Sequence, residues 1–277
     1  MTEQPLNRAG LHVGNVVAII QARMSSSRLP GKVLRDIGGQ SMLERMITRV
    51  QRSQRINRIV IATTIDPSDA PIAELCQSKG WPFFRGNLYD VLDRYYQAAL
   101  EFKASTIVRL TADCPLIDPT IIDLTLEQFF QAGVDFAANR LPPPWHRTYP
   151  IGMDTEVCSF GALERAWREA QAPYEREHVL PYLYDEPGRF RTLLVNTEPD
   201  YGHLRWTVDT TQDLEVIQRV YALFEGRDDF TYAELLELFT HHPELQKVNA
   251  NVQHKIYTDH DPRGEATLQN DSDKGAS

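Results

Sequence analysis

Apolar residues in this chain fall into short unbroken runs separated by stretches where they recur every three or four positions, and the two patterns alternate through the first half. The run VVAII at 16–20 predicts a buried strand. Residues 42–52 carry helical spacing behind a capping box formed by Ser41 and Glu44. A strand over 58–62, a helix over 72–79 ending at Gly80, a short strand over 82–84, a helix over 91–102 and a strand over 106–110 follow. Asp118 and Pro119 cap a helix over 120–131, and 134–139 returns as a strand. This alternation predicts an α/β fold of three layers, α/β/α, with a mostly parallel sheet and ligands at the carboxyl ends of its strands.

From residue 141 to about 189 the rhythm changes. PPPWHRTYPIGMD is a proline- and aromatic-rich connection, 155–159 reads as a strand, and 161–170 and 177–184 read as helices. This stretch is expected to be an inserted arm that covers substrate or makes a dimer contact. Residues 190–195 and 204–208 read as returning strands. Helices over 211–223 and 231–241 follow, the second with Thr231 and Glu234 as a capping box. The expected organisation is a leader at 1–15, one domain at 16–258 with the arm at 141–189, and a polar, disordered tail at 259–277.

Composition narrows the function. The formal net charge of −9 over 277 residues argues against a nucleic-acid partner or an anionic membrane surface. No apolar run approaches the roughly 20 residues needed to span a bilayer. Cys76, Cys114 and Cys158 are few, odd in number and lack metal spacing, which reads most simply as reduced thiols in a cytoplasm.

Against that acidic background the loop after the first strand stands out, because Arg23, Arg28 and Lys32 sit there among Ser25, Ser26 and Ser27. Cations, hydroxyls and loop amides at a strand end suit a polyphosphate. The loop is not a Walker A site: G-x-x-x-x-G-K would need glycine where Ser26 stands, and Val33 is neither Ser nor Thr. Asp113, in RLTADCPLIDP, is a strand-end carboxylate suited to holding Mg²⁺ against phosphate oxygens, with a self-bonded turn Asp as the plainer alternative. Asp209, in RWTVDTTQDLEVI with Asp213, is a second candidate, for which helix capping competes. Asp154 and Glu156 alternate along a strand. Arg176 and His178 stand at a helix start, and Asn139, Arg140 and Arg205 stand at strand ends; a packed histidine is as good a reading of His178 as a substrate contact.

Five blocks, QARMSSSRLPGKVL, RLTADCPLIDP, YPIGMDTEV, EREHVLPYL and RWTVDTTQDLEVI, resemble the cytidylyltransferase family that includes the spore-coat polysaccharide proteins of the SpsF type. More distantly they are similar to acylneuraminate and 3-deoxy-manno-octulosonate cytidylyltransferases. The resemblance implies a Rossmann-like nucleotidyltransferase fold, CTP as substrate, Mg²⁺ as cofactor and a small-molecule acceptor, with a homodimer by analogy. It implies nucleotide contacts from Gln21, Ala22, Arg23, Met24, Ser25, Ser26, Arg28, Lys32, Arg109, Thr111, Ala112 and Asp113, with Asp113 and Asp209 as metal ligands. Arg23, Lys32, Asp113 and Asp209 are the expected catalytic set. Asn139, Asp154, Glu156, Arg176, His178 and Arg205 are the expected acceptor-binding set. A glycosyltransferase on the same fold and a non-catalytic nucleotide-binding protein stay open, although the chain's Asp-x-Asp pairs are confined to Asp259/Asp261 and Asp271/Asp273.

Overall fold

The computed structural model describes residues 14–253, so the tail read at 259–277 and all but the end of the leader lie outside the described residues. Seven strands form one sheet: β1 (Val16–Gln21), β2 (Arg58–Thr64), β3 (Phe83–Gly86), β4 (Thr106–Thr111), β5 (Phe136–Ala138), β6 (Glu156–Ser159) and β7 (Thr192–Leu194), in the order β3-β2-β1-β4-β6-β5-β7. β6 alone is antiparallel to its neighbours, pairing Arg109 with Glu156 and Ala138 with Glu156. The mostly parallel, three-layer α/β/α arrangement is the expected one.

The unbroken apolar run of β1 has a simple cause, since both of its faces are covered. Val16, Ala18 and Ile20 enter one core with Met42, Met46 and Ile47 of α1 (Met42–Val50), Ile72 of α2 (Ala70–Lys79) and Ile121 of α4 (Pro119–Ala132). Val17 and Ile19 enter the other with Leu92 and Tyr95 of α3 (Val91–Glu101) and Leu163 of α5 (Phe160–Glu169). Strands buried on both faces read as continuous apolar stretches. The Ser41 and Glu44 capping box forms as expected, and Asp118 caps α4 through the Thr120 N–H with Pro119 at the first helical position.

Three expectations need correction. The helix read over 177–184 is two pieces, α6 (Pro173–His178) and α7 (Pro181–Tyr184), broken at Val179, whose φ of 75 no helix can carry, just ahead of Pro181. The strand read over 204–208 is reduced to one parallel bridge between Ile151 and Arg205. There Val208 turns its N–H to the carbonyl of Asp113 at 2.9 Å, so the ladder stops and the chain crosses to the end of β4. The arm read over 141–189 is not wholly outside the sheet, because β6 inserts between β4 and β5. Beyond it lie α8 (Thr211–Leu223), α9 (Tyr232–His241) and a short α10 (Glu244–Val248) that the sequence pattern did not suggest.

Candidate active site

Parallel strands β1, β2 and β4 end on the same edge of the sheet, and because β6 runs the other way its first residues share that edge. The basic loop, the TAD turn and the WTVD segment meet there. Lys32 opens a short 3-10 turn, and its ammonium donates to Asp113 Oδ2 at 2.9 Å, Asp209 Oδ1 at 3.0 Å and the Val208 carbonyl at 2.7 Å. Two carboxylates that stand far apart in the sequence therefore converge on one cation. Arg28 joins from the same loop, with an η nitrogen 2.8 Å from Asp209 Oδ2.

Asp209 is held by more than its substrate-side neighbours. Arg205 donates to Asp209 Oδ2 at 2.8 Å and to Asp213 Oδ1 at 2.8 Å. Fully buried Asp213 also accepts from the Asp209 and Thr210 N–H groups and from Asn249. Capping of α8 falls to Thr210, whose hydroxyl accepts from the Asp213 N–H in a reciprocal box. Asp209 is thereby released from capping and points at Lys32.

The electrostatics follow from these contacts. Burial alone would depress the Lys32 ammonium, but Asp113 and Asp209 outweigh it and the group titrates above its ordinary value. Burial likewise works against ionised Asp209, yet Lys32, Arg28 and Arg205 hold its carboxyl well below the usual range. Burial lifts the Cys114 thiol, beside Asp113, well above its ordinary value.

The other residues expected to contact nucleotide lie along β1, β4 and the loops that follow them. Ala22 donates its N–H to Ala62 O at 3.1 Å, and Ala112 donates to Gln21 O at 3.0 Å, so the starts of both loops are pinned to neighbouring strands. Met24 N–H donates to Asp69 at 2.6 Å, and its carbonyl accepts from Ser26 and Gly31 at 2.9 and 2.8 Å. Ser25 is exposed and Ser26 half-buried. Arg23 makes no ion pair among the described residues, and its charge works against that of the buried Arg94. Thr111 closes β4, with its hydroxyl 3.5 Å from the Cys114 thiol. Arg109 makes a close ion pair with Glu156 and donates to Gln21 Oε1 at 3.3 Å.

Several of the residues expected to bind the acceptor have partners within the protein. Asn139 is wholly buried; it donates to Met153 O at 2.6 Å and accepts from Thr155 N–H at 2.8 Å, which shapes the turn presenting Asp154. Glu156 belongs to Arg109, and Arg205 to Asp209 and Asp213. Arg176 ties α6 to α3 through Asp90, the N-cap of that helix, and through the Trp167 carbonyl at 2.8 Å. His178 is the half-buried last residue of α6. Asp154 remains near the cleft, chelated by Arg147 with Arg140 3.9 Å away. Sequence reasoning missed Asp69, which is fully buried and bridges the Met24 N–H to the Thr64 hydroxyl. Its only sequence signal, an acidic residue after Asp66 and Pro67, reads as ordinary turn chemistry.

No cluster of three or more His, Cys, Asp or Glu suited to a metal is found among the described residues. The Asp113 and Asp209 pair nevertheless suits Mg²⁺, which takes one or two carboxylates and leaves its other positions to substrate phosphates and water. The Lys32 ammonium stands in for a cation between them. The two Asp-x-Asp pairs lie outside the described residues, and no described helix is long and apolar enough to cross a membrane.

A mostly parallel sheet with a cationic loop facing a strand-end carboxylate pair suits nucleotidyl transfer. The chain belongs to the cytidylyltransferase family, whose model matches residues 17–257. It is 32% identical over 239 residues to the spore coat polysaccharide biosynthesis protein SpsF of Bacillus subtilis, covering 84% of this chain and 97% of that one. It is 34% identical over 215 residues to the 3-deoxy-manno-octulosonate cytidylyltransferase of Chlorobium luteolum, covering 76% and 78%. The structure of a cytidylyltransferase from Leptospira borgpetersenii superposes with a TM-score of 0.79 at 33% identity, covering 87% of this chain and 99% of that one.

Proposed function

We propose that this enzyme transfers CMP from CTP to a hydroxyl of a sugar or sugar-acid-like acceptor, with Mg²⁺, in the synthesis of a surface polysaccharide or glycan precursor. The carrying observation is the convergence of Lys32, Asp113 and Asp209 beside Arg28 at the carboxyl edge of the sheet. Family membership supports the cytidylyl group, and the SpsF and 3-deoxy-manno-octulosonate relatives support a glycan acceptor.

In this reaction the acceptor oxygen forms a bond to the α-phosphorus, the α–β bridging P–O bond breaks, and pyrophosphate leaves with the electron pair while the hydroxyl proton passes to solvent. Alignment and charge neutralisation carry such transfers. Arg23, Arg28 and Lys32 would neutralise the leaving pyrophosphate, and Arg23, which makes no ion pair among the described residues, can do so without giving one up. Asp113 and Asp209 would hold Mg²⁺, which supplies Lewis-acid neutralisation of the α-phosphate charge. Asp154 with Arg147 and Arg140 supplies hydroxyl and anion partners on the acceptor side.

The free thiols Cys76, Cys114 and Cys158 support a cytoplasmic setting, and by analogy the arm at 141–189 would make a homodimer contact, to be checked by light scattering. The deciding experiment is pyrophosphate release across the four NTPs and a panel of sugars, sugar acids and polyols, with Mg²⁺ and with EDTA. The expected result is release with CTP, dependent on acceptor and metal. Turnover of a pre-formed nucleotide-sugar with no pyrophosphate from any NTP would overturn it in favour of glycosyl transfer. CTP binding with no turnover on any acceptor would favour a non-catalytic protein.

A further inference from the structure

Lys32 uses all three ammonium hydrogens inside the protein, two on the carboxylates and one on the Val208 carbonyl. In this arrangement it has none left for a phosphate. The charges around it also cancel: Lys32, Arg28 and Arg205 are each in direct contact with one or more of Asp113, Asp209 and Asp213, three cations against three carboxylates. A divalent cation arriving alone meets a neutral cluster whose gap is already filled by an ammonium. A triphosphate changes the balance, because it brings several negative charges and an acceptor for every lysine hydrogen.

We propose that Lys32 is the resident cation of the Asp113 and Asp209 pair, and that a divalent metal reaches these carboxylates only with the nucleotide, whose phosphates draw the ammonium away. This rests on the metal-dependent reading above. The side chain is suited to the exchange: it is an unbranched stem with a rotatable head, and the neutral Val208 carbonyl is the least costly of its three partners to give up. Arg28 and Arg205 stay on Asp209 when Lys32 leaves, so that carboxylate is not stranded. Asp113 has no second cation among the described residues and becomes the principal metal ligand.

The test uses Mn²⁺ as a paramagnetic stand-in for Mg²⁺, with its binding followed by the loss of the free-ion resonance. Wild type, Lys32→Met and Lys32→Arg are each titrated without nucleotide and then with CTP but no acceptor, against CTP alone as the background. Thermal melts confirm that each variant is folded. Wild type should bind Mn²⁺ at least tenfold more tightly with CTP than without. Lys32→Met without CTP should bind at least tenfold more tightly than wild type without CTP, while Lys32→Arg, which keeps a cation in the gap, should stay near wild type. If Lys32→Met binds no more tightly than wild type while wild type still takes up Mn²⁺ with CTP, this inference fails and the metal-dependent reading stands. If wild type with CTP binds no Mn²⁺ beyond the CTP background, the metal-dependent reading itself fails and takes this one with it. Should Lys32→Met not fold, wild type alone decides: equal Mn²⁺ affinity with and without CTP overturns the proposal.

Discussion

The carbonyl of Asp113 accepts the Val208 N–H at 2.9 Å and the Thr207 hydroxyl at 3.1 Å, so the two carboxylate-bearing segments are tied through backbone before their side chains meet at Lys32. A tie of this kind is indifferent to the side chain at position 113. Asp113→Ala should therefore fold and melt close to wild type, because Lys32 keeps the Asp209 carboxylate and the Val208 carbonyl as partners. Product formation should fall by about 10²-fold or more, the usual cost of removing a charge-stabilising group from a reacting centre. Pyrophosphate release alongside a melting curve separates the two effects, and unchanged turnover would remove Asp113 from the chemistry.

Asp213 gives the opposite outcome. Its carboxylate is fully buried and accepts from Arg205, Asn249 and two backbone N–H groups, so Asp213→Asn leaves Arg205 without its full partner. Breaking a buried pair from one side typically costs about 3–5 kcal/mol. Burial opposes ionisation here, but Arg205 and Asn249 hold the folded carboxyl below its ordinary 3.8. A depressed carboxyl stabilises the fold above 3.8, and that contribution is lost as pH falls through the folded value. The stability gap between wild type and Asp213→Asn, measured by denaturant titration, should be full at pH 7 and close progressively below pH 3.8.

Much of this site was legible in the sequence because its parts follow strands buried on both faces. The run at 16–20 and the alternation up to residue 139 fixed which loops share an edge, and so brought Lys32 and Asp113 together. What pattern does not carry is direction: the residues of β6 look the same whether the strand runs parallel or antiparallel, yet its reversal is what sets Glu156 against Arg109. Pattern also does not carry partner choice. Arg176 and Arg205 stand in polar segments as an acceptor-binding arginine would, and only coordinates reveal Asp90 and Asp213 as their partners. The alternation of Leu204, Trp206 and Val208 is a true burial signal, but the hydrogen bonds that complete a strand go to the TAD turn instead.

Asp69 is the positioning residue the sequence concealed. By accepting the Met24 N–H at 2.6 Å and the Thr64 hydroxyl, it fastens the basic loop to the end of β2. Asp69→Ala should raise the KM for CTP roughly tenfold, the equivalent of about 1.4 kcal/mol, with a smaller effect on kcat. Asp69→Asn, which keeps an oxygen for the Met24 N–H, should recover most of the loss. Steady-state kinetics with CTP as the varied substrate distinguish this from a general loss of folding, which would lower the active fraction without moving KM.

Gly152 tests whether backbone spacing on the acceptor side matters to the metal side. It has a φ of +110, and a Cβ placed there would meet the carbonyl carbon of Trp206 at 2.7 Å and the Thr207 nitrogen at 2.8 Å. No flexible side chain can yield at that contact, since both atoms are backbone. The only relief is to push 206–207 away from 151–153, which strains the Ile151 and Arg205 bridge and moves the segment whose next residues bond Asp113 and carry Asp209. Backbone strain at positive φ and overpacking each cost on the order of 1–3 kcal/mol. Gly152→Ala should therefore lower stability by at least about 2 kcal/mol and reduce turnover at saturating CTP even in the folded fraction, because Asp209 is displaced from Lys32. A folded Gly152→Ala enzyme with wild-type kcat would mean that the 151–153 turn and the carboxylate pair are mechanically independent.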